Sequence, residues 1–198
     1  TAEVWAEHSL WPQDPQFATA LAGGVTSMQI LPGSANLFGG RGVTVKNVPA
    51  RTMQAMKFPG AKHGLKMACG ENVVHAYGDS GRLPVSRMGA IAGQRAAWLE
   101  ARRYLDGWQK YERGESPAPP DQNLKLDTLA GALLGDIRVH VHCYRADDMA
   151  QMLDLAHEFG FRIIAFHHAT EAYKLADLLV REKVCAAVWP DWWGYKRE

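Results

Sequence analysis

Val139-His140-Val141-His142-Cys143-Tyr144 and Ile163-Ile164-Ala165-Phe166-His167-His168 are the two stretches that decide how this chain is read. Each begins as a short run rich in β-branched residues. Each reaches histidine near its end and gives way to polar residues suited to starting a helix. His142 and His168 stand 26 positions apart, close to the roughly 30 residues of one strand–helix–strand unit. Imidazoles at the C-terminal ends of neighbouring parallel strands can converge on one metal ion, and that end of a barrel is where its chemistry is kept.

Working outward, the second half alternates strand and helix with short connections. The pattern predicts strands at Ile137–His142, Arg162–Phe166 and Val184–Val188. Between them it predicts helices at Ala146–Phe159, stopped by Gly160, and at Glu171–Glu182, opened by Thr170 as N-cap. Asp147 and Asp148 read as first-turn carboxylates favoured by the helix dipole. Such alternation means parallel βα units. Further upstream, Leu124–Leu134 and Val85–Arg113 read as helices, separated by the break Gly114–Pro120. Gly64–Cys69 reads as a strand closed by Gly70-Glu71-Asn72. Pro12–Ala22 reads as a helix entered through Asp14-Pro15. Val25–Leu31 and Val43–Lys46 read as strands, with Pro32–Gly42 between them as loop. The expected fold is α/β, a partial (β/α)8 barrel of about strands 2 to 7, over residues 1–198 as one unit. An open doubly wound sheet is disfavoured, because Gly39-Gly40-Arg41-Gly42 has neither the dinucleotide spacing nor a following helix.

Bulk properties narrow the function. A net charge of +1 gives no pull toward nucleic acid or an anionic membrane. With 47% apolar residues the chain can build a core, yet no run approaches the roughly 20 residues of a membrane span. The start, Thr1-Ala2-Glu3-Val4-Trp5, lacks an initiator Met and signal-peptide character. It reads as the interior of a longer chain or a processed product, with a cytoplasmic location favoured. Cys69, Cys143 and Cys185, odd in number and widely spaced, are expected as buried free thiols in a reducing compartment. Trp189-Pro190-Asp191-Trp192-Trp193 reads either as a pocket rim or as bare surface.

The residues that could do chemistry gather near the strand ends. His140 and His142 share a strand face, and His142 lies nearer the C-terminal mouth. His167 and His168, as neighbours, should point to opposite faces, so one of them faces the interior and the other packs. Lys66 within its strand, as a carbamate, or Glu71 just past it, could bridge two cations. Asn36 and Arg41 lie on a glycine-rich connection of the kind that often covers substrate.

Taken together, Ser9–Phe17, Ala22–Lys46, Leu65–Asn72, Val141–Met149 and His168–Lys174 resemble the amidohydrolase superfamily, in its imidazolonepropionase-like or prolidase-like branch. The resemblance implies a barrel holding one or two divalent ions, usually zinc, and a metal-bound hydroxide that attacks an amide or other C–N bond. It implies His142 as the metal ligand ending strand five and His168 as the one ending strand six, with His167 as packed neighbour. It places Lys66 at the carboxylated lysine of strand four and leaves Glu71 as the rival. Tyr144 stands where relatives often carry a second histidine and, with Asn36 and Arg41, is assigned to substrate binding. The family's His-x-His on strand one has no counterpart here. The proton-shuttling Asp of strand eight is absent too, since Asp191 does not match it, and Val73-Val74 replaces a usual Pro-Lys. The chain therefore reads as the central part of a larger metal-dependent hydrolase, inactive alone. Its substrate would be a small amide or peptide-like molecule, and homo-oligomers are possible. The competing reading is a non-enzymatic βα binding or assembly module that needs a partner chain.

Overall fold

A computed structural model of the chain describes residues 1–189 and 191. Pro190, Trp192 and Trp193, part of the suggested pocket rim, lie outside the described residues. The elements run α1 Pro15–Ala22, β1 Ser27–Ile30, β2 Phe38–Lys46, α2 Met53–Met56, β3 Gly64–Ala68 and α3 Glu71–Gly78. They continue α4 Arg87–Glu112, α5 Leu124–Leu133, β4 Arg138–Cys143, α6 Ala146–Phe159, β5 Ile163–His168, α7 Ala176–Glu182 and β6 Cys185–Val188. Among the described residues the six strands form one sheet in the order β1-β2-β3-β4-β5-β6. It curls into a half-barrel, alternating with helices over most of its length.

From β3 to β6 every pairing is parallel, as the strand–helix rhythm demands. The first two strands depart from the expected pattern: β1 and β2 are antiparallel, and β2 is antiparallel to β3. β2 also starts at Phe38, inside the stretch read as loop. The glycines misled because they serve packing. A Cβ on Gly42 would sit 2.5 Å from Leu31 Cδ2 and 2.8 Å from Ile30 O. Gly40 has φ +117°, and a Cβ there would lie 2.5 Å from Val4 O. The strand thus needs glycine where other backbone crosses it. Gly40→Val should cost about 2 kcal/mol or more, read as a lowered urea midpoint. An unchanged midpoint would show that the Val4 segment does not dock here.

Alternation sorts the two faces of β3 and β4, and a register shift between β4 and β5 at Val139/His140 lets Ile163 and Phe166, three apart, share the helix side. Leu65, Met67, Val139, Val141, Ile163 and Phe166 pack against the helices in one core with Trp98, Leu129, Met149 and Met152. Lys66, His140 and His142, also buried, occupy the opposite, concave face. Helix boundaries follow local chemistry. Asp14 accepts from Gln16 N, with Pro15 at the first turn, Ser86 caps α4, Asn123 caps α5, and Gly160 ends α6 at φ +80°. The expected helix 171–182 is split into a 3-10 turn, Ala172–Leu175, and α7. Thr170 is not its cap; its hydroxyl donates to Tyr144 O at 3.3 Å. α6 is capped from a distance, by Glu171 Oε2 accepting from Ala146 N at 2.9 Å. Asp148 turns instead to Arg87 of α4, 3.2 Å away.

The cysteine expectation is corrected. Ala68 pairs with His142, so the next residues, Cys69 and Cys143, lie side by side. Their Cα atoms are 5.3 Å apart and they form a disulfide, at a separation suited to one. A gap of 74 residues in sequence hid the pairing. Cys185 is free but exposed, on a strand whose residues are all exposed. No helix among the described residues is long and apolar enough to cross a membrane.

Candidate functional site

Two layers of polar side chains stand on the concave face. The inner layer is Lys66, His140 and His167. Lys66 lies opposite His140 in the β3–β4 register, and its Nζ donates to Pro32 O (3.1 Å) and Ser34 Oγ (2.9 Å). Burial lowers its pKa to about 8. His140 Nδ1 and His167 Nε2 share a hydrogen bond of 3.0 Å. Burial, then the neighbouring His167 and Lys66 charges, push His140 down to about 4. His167 is lowered by burial and by Lys66. Both rings are therefore neutral near pH 7.

The outer layer lies at the C-terminal strand ends. The His142 ring is 4.5 Å from that of His168 and 4.5 Å, edge-on, from that of Tyr144. Tyr144 and His168 are 5.9 Å apart, and Trp189, just past β6, lies 4.9 Å from His168. His142 is 1% exposed and Tyr144 5%.

Strand alternation alone would have sent His167 and His168 to opposite faces. Both instead meet histidines of β4 on the concave face, because His168 has left the extended conformation. Its φ is +68°, and Ala169 follows at +38°. Positive φ is uncommon outside glycine and marks places where the surrounding structure imposes it. Here Ala169 N donates to Cys143 O at 2.9 Å, pinning the turn against β4.

The remaining sequence candidates are placed as follows. Glu71 is half-buried and opens α3 directly after Gly70, whose φ is +69°, at the same end of the sheet as the outer layer. Arg41 is drawn away from the histidines: its Nε donates to Thr128 Oγ1 of α5 at 2.8 Å, and its guanidinium lies 4.2 Å over the Trp5 ring. Asn36 accepts from Tyr77 Oη at 3.5 Å and lines a separate pocket with Arg82 and Lys125. Sequence reasoning missed the His140–His167 pair and the hold of the Pro32–Ser34 loop on Lys66. A signal for Trp189 was present, since it follows β6 as Tyr144 follows β4.

The donor chemistry of the outer layer suits a divalent transition ion, for which neutral imidazole is a preferred ligand. The pair is two donors. Among the described residues no group of three or more His, Cys, Asp or Glu is arranged to hold a metal.

The inner layer carries a pH prediction. Unfolded histidine takes up a proton near pH 6.5, whereas folded His140 does so only near 4. Stability attributable to His140 is present above pH 6.5 and is lost as pH falls toward 4, by about 3 kcal/mol. Urea unfolding at pH 7 and pH 4.5 should show this loss, and His140→Gln should flatten it. An equal slope in the variant would assign the loss to other groups.

No family model matches the chain. Among curated proteins, the amidohydrolase tasK of Hapsidospora irregularis is 34% identical over 195 residues, 89% of this chain and 20% of that protein. Among solved structures, an amidohydrolase from Thermotoga maritima MSB8 superposes with a TM-score of 0.89 at 35% identity, over 96% of this chain and 49% of that one. The chain thus spans about half the length of the solved relative and a fifth of the curated one. Both of these similar proteins carry amidohydrolase names.

Proposed function

We propose that the chain forms the central part, about strands 2 to 7, of the barrel of a metal-dependent hydrolase that cleaves amide or other C–N bonds. The contact of His142 with His168 at the C-terminal strand ends carries this reading, and the amidohydrolase names of two relatives support it. His142 and His168 would hold one or two divalent ions, zinc in the first instance, with Lys66 or Glu71 as the anionic bridge. A bound divalent ion supplies activation of water and polarisation of the scissile carbonyl in such sites. The chain's own residues set the stage for this. Burial keeps Lys66 near pKa 8, so a sizeable fraction is the neutral amine that carbamate formation requires. The inner pair, neutral and hydrogen-bonded, fixes β5 against β4 beneath the ligands. Tyr144 and Trp189 wall the mouth that a small amide or peptide-like substrate would enter.

Isothermal titration with zinc tests the reading. We expect binding by the wild-type chain and a loss of more than about a hundredfold in affinity for His142→Ala. Hydrolysis of N-acyl dipeptides and cyclic amides by this segment alone should stay at background. Equal zinc affinity in wild type and variant would remove the ligand assignment, and turnover by the isolated segment would remove the need for further ligands.

The exposed β6 favours a second reading, in which the chain is an assembly module whose open sheet is completed by added strands. Under that reading size-exclusion chromatography shows a concentration-dependent dimer; a monomer throughout speaks against it.

A further inference from the structure

Two loops at the C-terminal end of the sheet are laced together. One runs from Cys143, the last residue of β4, to Ala146. The other runs from His168, the last residue of β5, to Glu171. Ala169 N donates to Cys143 O at 2.9 Å, and Glu171 N donates to Tyr144 O at 3.1 Å. Thr170 Oγ1 donates to the same Tyr144 carbonyl at 3.3 Å. A further hydrogen bond runs the other way, from Ala146 N to Glu171 Oε2 at 2.9 Å. It ends on a carboxylate, and charge-assisted hydrogen bonds are the strong ones. Lys174 engages the other oxygen, Oε1, so both carboxylate oxygens are committed.

Each loop draws on this contact. The N-cap position of α6 is Arg145, whose side chain makes no cap hydrogen bond. A guanidinium has no acceptor to offer, and it pairs instead with Asp147, Nε to Oδ1, at 2.8 Å. Glu171 therefore supplies an acceptor that α6 lacks locally, at a helix end rich in unmatched N–H groups. On the β5 side, His168 and Ala169 hold φ values of +68° and +38°. Residues other than glycine keep such values only where their surroundings impose them. The hydrogen bonds from 169–171 to the β4 loop are that surrounding. The same turn brings the His168 ring within 4.5 Å of the His142 ring.

We infer that Glu171 is a positioning residue for the His142–His168 pair: its carboxylate clasps the β4 loop to the β5 loop and so holds the two imidazoles together. The inference rests on the metal-centre reading of that pair. A residue that only capped α6 would behave differently, and the two roles separate by experiment.

Zinc is the probe, by isothermal titration, with the thermal midpoint followed alongside. Glu171→Ala should weaken zinc binding by about tenfold or more, the usual cost of losing a group that orients a ligand, and should lower the midpoint. Glu171→Gln keeps an oxygen acceptor and should recover most of the affinity. Glu171→Ala/Arg145→Ser gives α6 a local cap. Its midpoint should return toward wild type while zinc affinity stays low, because the loops are no longer joined. Without zinc, amide hydrogen exchange at Ala169 should be faster in this double variant than in wild type. Should Glu171→Ala fail to fold, the double variant carries the test. Unchanged zinc affinity in Glu171→Ala, or full recovery of affinity in the double variant, would overturn the inference and leave Glu171 a cap alone. A wild-type chain that binds no zinc would remove the metal reading instead. The zinc-free measurement then decides, and unchanged exchange at Ala169 would overturn the clasp.

Discussion

Breaking the Cys69–Cys143 disulfide should lower the thermal midpoint of this protein by roughly 10 °C. The bond closes a segment of 74 residues. Restricting a loop of that size in the unfolded chain stabilises the folded one by about 4 kcal/mol. The location adds to the effect. Cys69 N donates to His142 O at 2.9 Å, so the bond ties together the ends of β3 and β4 just where Glu71 and His142 are presented. The Cys69→Ala/Cys143→Ala double variant, compared with wild type by calorimetry with and without reductant, separates the bond from its side chains. Reductant should lower the wild-type midpoint and leave that of the double variant unchanged. Thiol titration should find one reactive cysteine, the exposed Cys185, in the unfolded oxidised protein and three after reduction. Three before reduction would contradict the bond.

The second large effect is expected in the helix-side core. Trp98 of α4 is fully buried, its ring stacked 4.2 Å from Phe161 and set edge-on to Phe38 at 5.5 Å. It therefore joins α4 to the segment entering β5 and to the start of β2. Trp98→Ala removes that bridge and leaves a cavity among rigid neighbours, at a cost of about 4 kcal/mol. Trp98→Phe should cost much less. It keeps the aromatic stack and removes an indole N–H that has no hydrogen-bond partner in the protein, itself a cost in a buried site. Urea unfolding of both variants checks the pair of values. A loss below about 1 kcal/mol for Trp98→Ala would mean that the core closes over the gap.

The parallel half of the fold was legible because its signals are local. Short runs rich in β-branched residues gave β4 and β5, and Asp14-Pro15 and Gly160 marked helix ends by side-chain or backbone preferences that act within a turn. What stayed hidden depends on distant chain. Gly40 and Gly42 look like loop residues until Val4 and Leu31 are packed against them. Cys69 and Cys143 look free until the β3–β4 register brings them level. Glu171 reads as the start of its own helix, although it caps α6. In the candidate site, His142 and His168 were legible from the spacing of strand ends. Their meeting on one face with His140 and His167 was not, because alternation fails at the left-handed backbone of His168. Arg41 carried a plausible loop signature, yet Thr128 and Trp5, distant in sequence, hold it on the helix side.

The most direct test of the metal-centre reading follows the histidine ring nitrogens by long-range ¹H–¹⁵N NMR as zinc is added. We predict large shifts at His142 and His168. His140 and His167 should remain a neutral hydrogen-bonded pair, and the exposed His8, His75 and His157 should be unmoved. Zinc-dependent shifts confined to the exposed histidines, with His142 and His168 unchanged, would contradict the assignment of a metal centre to the ends of β4 and β5.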